Sequence, residues 1–140
     1  MPNPQQHGQT FNITVDYDTT EVEVNDLVTV SVELEFTPFT LIEAEMVVLD
    51  ISIPTGFTAV RETLEEILKE EEKIKRYDIA GRKVIFFIEN MLPYESLSFN
   101  FKVKALYPVK AKGTTSQAYS YYDPKMKGET LGKEMVVLGQ

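Results

Sequence analysis

The sequence contains no cysteine. Disulfides, thiol nucleophiles, zinc–thiolate sites and iron–sulfur clusters are thereby excluded. The compartment stays open, because a domain with an adequate core needs no disulfide anywhere. There is one histidine, His7, in a polar N-terminal stretch. Histidine triads and multi-histidine metal sites have nothing to build on. The seven glycines are scattered singly, so no phosphate-cradling loop occurs, and no Gly-x-Ser-x-Gly elbow is present. Most enzyme chemistry is removed by these absences, and the sequence predicts neither catalytic residues nor a cofactor. No apolar run approaches the ~20 residues of a membrane-crossing helix, so no membrane insertion is expected. The first residues, Met1-Pro2-Asn3-Pro4-Gln5-Gln6, lack the basic start and apolar stretch of a signal peptide. A secreted protein would hold this chain as a fragment.

Basic residues are missing from the first part of the chain. Residues 1–60 hold ten acids and no lysine or arginine, whereas residues 61–140 hold all 14 basic residues against 12 acids. The net charge of −8 argues against a nucleic-acid partner, which calls for a basic face. The asymmetry itself has two readings: solubility alone, or a basic patch in the second half that meets an acidic partner.

What is present is a chain of 140 residues, the size of one domain. Hydrophobic residues make up 43% and charged residues 26%, as in a chain with a packed core. Residues 1–9, with two prolines and nothing to bury, are expected to be a disordered leader. Residues 10–140 are expected to form a single domain, monomeric when isolated. Phe11, Ile13, Val15 and Tyr17 alternate with polar residues, the period of a half-buried strand. Val28 to Phe36 and Leu97 to Ala105 repeat the pattern over longer runs. Residues 44–53 and 116–122 read as further strands, and Met135 to Leu138 as a short terminal one or an apolar tail. Val84 to Ile88 is apolar on both faces, which predicts a strand covered on each side.

The period changes once. Val60, Leu64, Ile67 and Leu68 stand at i, i+4, i+7 and i+8, which predicts a helix at about 59–71 with Thr58 as its N-cap and as the second cover for the 84–88 strand. Seven to nine strands and one helix, with turns every 8–12 residues, predict a mainly β fold: a two-sheet antiparallel β-sandwich with one inserted α-helix.

Few residues suggest chemistry. Asp16/Asp18 and Glu21/Glu23 place carboxylates on shared strand faces, either a calcium site or a solvated acidic face, and the glycine-containing calcium-loop spacing is absent. Asn12-Ile13-Thr14 is a glycosylation triplet. Tyr119, Tyr121 and Tyr122 read either as a carbohydrate platform or as tyrosines packed within the sandwich. The helix surface is the best candidate for recognition, with Arg61 and Lys69 on it and Lys73, Lys75 and Arg76 following. The alternative use of those charges is intrahelical pairing, such as Glu65 with Lys69 at i, i+4.

Val48-Leu49-Asp50-Ile51-Ser52-Ile53-Pro54-Thr55-Gly56-Phe57 runs directly into the helix, and is followed by Phe86-Phe87-Ile88-Glu89, Leu97-Ser98-Phe99 and Tyr119-Ser120-Tyr121-Tyr122-Asp123-Pro124. This order resembles the C-terminal receptor-binding domain of the alpha-macroglobulin family, which includes the thioester-containing complement proteins, over about residues 10–124. The resemblance implies a non-catalytic domain of a large protease-trapping protein or opsonin, with bait and thioester in other domains. It also implies an endocytic receptor of the low-density-lipoprotein-receptor class, engaged through two helix lysines after protease cleavage. Carried over by position, those lysines fall at Arg61 and Glu65, with Lys69 one turn further on and Lys73 beyond the helix. Vertebrate members carry a disulfide here, and this chain carries none, which fits a microbial parent. The expected partners are neighbouring domains of that parent and a receptor. The expected location is extracellular, periplasmic or cell-surface. The other reading is an independent adhesive module that binds calcium or carbohydrate through Asp16, Asp18 and the tyrosines.

Overall fold

The computed structural model describes residues 9–139. Almost all of the expected leader, residues 1–8, lies outside the described residues, as does His7. Twelve strands and one helix are described, in three sheets. The first sheet has the order β1 (Phe11–Tyr17), β3 (Leu27–Phe36), β8 (Ser96–Ala105), β5 (Phe57–Ala59), with antiparallel neighbours. The second has the order β11 (Lys127–Leu131), β10 (Thr115–Ser120), β4 (Ala44–Ser52), β7 (Lys83–Met91), β6 (Ile74–Ala80), again antiparallel. A small third sheet joins β2 (Glu21–Glu23), β12 (Met135–Leu138) and β9 (Val109–Ala111), with β12 parallel to β2.

The alternating residues read from the sequence form the interior. Val28, Val30, Val32, Leu34 and Phe36 are buried on β3, as are Phe11, Ile13 and Val15 on β1. They meet Val47, Leu49 and Ile51 of β4 and Val84, Phe86 and Ile88 of β7 in one core. Phe86 sits edge-on to Phe99 at 4.9 Å between ring centres, and Phe11 stacks on Phe36 at 5.0 Å. The fold class is therefore the one the periodicity predicts: mainly β, antiparallel, with one inserted helix.

The helix differs in extent and in place. α1 spans Arg61–Glu70, with Val60 as its N-cap and no side-chain capping bond. Thr58 lies instead in β5, opposite Lys104 of β8. The unfilled edge of β8 captures this segment, and strand pairing there outweighs a cap. Val60 N–H donates to the Lys102 carbonyl at 2.8 Å, and Lys102 N–H donates to Thr63 Oγ1 at 3.0 Å. The first turn of α1 thus completes the edge that β5 begins, satisfying backbone groups that would otherwise stay unpaired.

α1 packs on β8 and β6, closing the side between the two large sheets. It buries Leu64 and Ile67 there. It is not the second cover of β7. Ile85 and Phe87, on the other face of that strand, stay half-exposed, and the Arg76 guanidinium lies over the Phe87 ring at 3.9 Å.

Candidate functional site

The four residues singled out on and after the helix do not form one cluster. Arg61, Glu65 and Lys69 all lie exposed on α1. Glu65 is engaged by Tyr77 of β6, whose hydroxyl donates to Glu65 Oε2. Burial pushes the Tyr77 phenol above its ordinary value, the Glu65 carboxylate adds to this, and the nearby positive charge of Arg61 pulls the other way. Glu65 and Tyr77 thus form a polar contact between α1 and β6. The Glu65–Lys69 pair is not formed. Lys69 instead lies 3.8 Å from Glu66, and with 75% of its side chain exposed the pair adds little stability.

Lys73 has turned away from the helix face. Its ammonium donates to the Asn90 carbonyl at 2.6 Å and to Glu95 Oε1 at 2.6 Å. Glu95 Oε1 also accepts from Leu92 N–H at 2.9 Å, and Glu95 N–H donates to the Leu92 carbonyl at 3.0 Å. The β7–β8 loop is therefore tied across itself and then to the segment after α1. Burial alone would raise the Glu95 pKa; the Leu92 N–H and the Lys73 ammonium outweigh it, and the net shift is downward.

That direction sets a pH dependence. A carboxylate with a lowered folded-state pKa stabilises the fold above its unfolded value, 4.5 here, and the contribution fades as pH falls through the folded value below it. Glu95→Gln is expected to cost about 1 kcal/mol at neutral pH, and the difference from the unaltered protein is expected to shrink as the pH falls below 4.5 and through the folded value. Urea titrations of both proteins across that range check it. A gap that stays constant to acid would mean the Lys73–Glu95 bond contributes nothing through charge.

The acidic pairs of the first half are drawn into separate contacts. Asp16 lies 3.4 Å from Lys133, and Asp18 Oδ1 accepts from Thr29 N–H at 2.9 Å. Among the described residues no group of three or more acids, histidines or cysteines converges on a metal position. The tyrosines divide. Tyr119 is half-buried on β10, whereas Tyr121 and Tyr122 lie past the end of that strand, exposed and edge-to-face at 5.2 Å. They do not pack within the sandwich. A cleft of about 590 Å³ beside Tyr122 is lined by Ile42, Glu43, Glu45, Met46, Glu89 and Asn90.

With this geometry in hand, comparison with known proteins is specific. The family model of the A-macroglobulin receptor binding domain matches residues 42–131. The chain belongs to this family. No curated relative matches it by sequence. Among solved structures it is similar to native alpha-2-macroglobulin from Escherichia coli, spanning domain MG7 to the C-terminus, with a TM-score of 0.77 at 11% identity. The match covers 93% of this chain and 24% of that one. Trypsin-activated alpha-2-macroglobulin from the same organism gives 0.77 at 11%, covering 93% and 10%. Salmonella alpha-2-macroglobulin reacted with methylamine gives 0.74 at 12%, covering 93% and 9%. This macroglobulin domain thus spans a quarter or less of the solved chains it resembles. At such identities the likeness is one of fold. No described helix is long and apolar enough to cross a membrane.

Sequence reasoning missed Glu95 and Asn90 as partners of Lys73. Asn90 contributes a carbonyl, which leaves no mark on side-chain pattern. The loop they hold carries one turn-forming residue, Pro93.

Proposed function

We propose that this chain is the non-catalytic C-terminal module of an alpha-macroglobulin-like protease trap, exported to a periplasm, cell surface or extracellular space. Its main work is to pack on neighbouring domains of that parent. The observation that carries this reading is the family match over residues 42–131. The cysteine-free sequence fits a microbial parent.

Receptor capture by α1 is the second reading, favoured by the exposure of Lys69. Acidic receptor repeats clamp a compact ammonium, and a guanidinium is a poor replacement. The helix offers one such group, since Arg61 and Glu65 occupy the two carried-over positions and the Lys73 ammonium is held by Asn90 and Glu95.

Trypsin added to the native chain is the test of the trap. The expected result is trypsin that co-elutes with the chain and cleaves a small chromogenic peptide but not casein. Trypsin that elutes alone and cleaves both would overturn the reading. For the receptor, calcium-loaded low-density-lipoprotein-receptor repeats are expected to show no binding to the trypsin-treated chain that Lys69→Glu abolishes. Binding lost at least tenfold on Lys69→Glu would favour the second reading.

A further inference from the structure

The two ends of the sandwich are built differently. The end where β1 and β8 finish is closed by the third sheet, whose Val22, Ala111, Met135 and Val137 are buried in the common core. The opposite end carries three adjacent loops, 37–43, 92–95 and 121–126. They are held side by side: Tyr94 N–H donates to the Phe36 carbonyl at 2.7 Å, and Tyr121 N–H to that of Met46 at 2.8 Å. Scattered exposed apolar side chains need no explanation, but several gathered on neighbouring loops at one end do. Here Leu41 is 82% exposed, Tyr122 69%, Tyr94 60% and Tyr121 58%, with Leu92 beside them at 50%.

Tyr94 adds an independent observation. Its φ is +64°, a left-handed conformation that suits glycine or asparagine and strains a bulky residue. The fold gives the ring little in return, since its hydroxyl reaches only the Pro38 carbonyl, at 3.5 Å. The loop is nonetheless braced by the hydrogen bonds of Lys73 to the Asn90 carbonyl and to Glu95, and of Leu92 N–H to Glu95. A strained, exposed aromatic on a braced loop is organised for contact outside the domain. The rim is acidic, with Glu43 just before β4, Glu45 at its start, Asp123 beside Tyr122, and Glu89 near the end of β7, 4.0 Å from the Lys75 ammonium. Lys125 is the one basic residue within the three loops. That charge disfavours an anionic lipid surface and suits a protein surface with a basic rim.

The chain also enters at this end. Thr10, just before β1, accepts from Thr37 N–H at 2.7 Å. The solved Escherichia coli chain that runs from MG7 to the C-terminus is about fourfold longer than the part matched here, given 24% coverage. We propose that the loop end built on Leu41, Leu92, Tyr94, Tyr121 and Tyr122 docks into the domain that precedes this one in the parent chain, in apolar sockets ringed by lysine or arginine. The inference rests on the terminal-module reading above and deepens it.

The test uses the full native chain with a benzoylphenylalanine photo-crosslinker at Tyr94, at Tyr122 and, as control, at Lys69. Crosslinked peptides are identified by mass spectrometry. Both loop positions are expected to capture peptides N-terminal to this domain in the same chain, at least fivefold above the control. Glu43→Lys combined with Glu45→Lys is expected to lower that yield several-fold. Loop positions that crosslink no more than Lys69, or only to other proteins or lipid, overturn the docking proposal while leaving the terminal-module reading standing. An unchanged yield in the Glu43/Glu45 variant overturns the basic rim. A native chain no heavier than 16.0 kDa overturns both readings, and is read directly from its mass.

Discussion

Gly128→Ala is expected to destabilise the domain strongly, with a loss of about 3 kcal/mol or more. Gly128 sits on β11 opposite Ala118 of β10, and a methyl group there would be driven into the Phe11 carbonyl of β1. Beside it, Thr10 N–H donates to the Lys127 carbonyl at 2.8 Å. β1 belongs to one large sheet and β11 to the other, so this is where the two backbones close on each other. Neither side of the clash is a side chain that could rotate away, and relief requires parting the strands. A fall of roughly 10 °C in Tm is expected for a chain of this size. Gly81→Ala is the control. Its φ of +62° strains any other residue, but nothing lies within 4 Å of the added methyl, and a loss of about 1 kcal/mol is expected. A loss at Gly128 no larger than at Gly81 would mean that β1 and β11 part easily and that their close approach does not set the requirement for glycine.

Phe86→Ala is expected to cost about 3–5 kcal/mol, as for other fully buried aromatic rings. Phe86 is fully buried, with Phe99 at 4.9 Å and Phe101 at 6.0 Å between ring centres. Its neighbour Phe87 points to the opposite face, half-exposed, with Arg76 stacked on it. Phe87→Ala is expected to cost only about 1–2 kcal/mol, from partial burial and the lost cation–π contact. Urea unfolding of the two variants measures the contrast. Equal losses would mean that the outer face of β7 is as fully covered as the inner one.

That pair also marks where the sequence stops being readable. β1, β3 and β8 alternate so regularly that their buried faces follow from period alone, because a one-residue slip would turn every apolar side chain to solvent. Val84 to Ile88 has no such alternation. It says that both faces are apolar, not which one meets the core, and the helix expected over the second face went to β8 and β6 instead. The strands β5, β9 and β11 are set by the edges they join. Thr58 has the chemistry of a helix cap and became a strand residue because the β8 edge lay open beside it. Of the candidate site, Arg61 and Lys69 stand exposed on the helix as the 3.6-residue period implies. Lys73 does not, since its partner Glu95 lies 22 residues away and no local pattern joins them. The exposed Tyr121 and Tyr122 were equally hidden, because β10 ends at Ser120 and their place beyond it depends on pairing with β4.

The most direct measurement is the size of the native polypeptide, by immunoblot of the source cells with an antibody to this domain, before and after brief trypsin treatment. A terminal macroglobulin module predicts a band several times heavier than 16.0 kDa that trypsin splits into a few large fragments, one retaining this domain. A band near 16.0 kDa, unchanged by the same treatment, would contradict it.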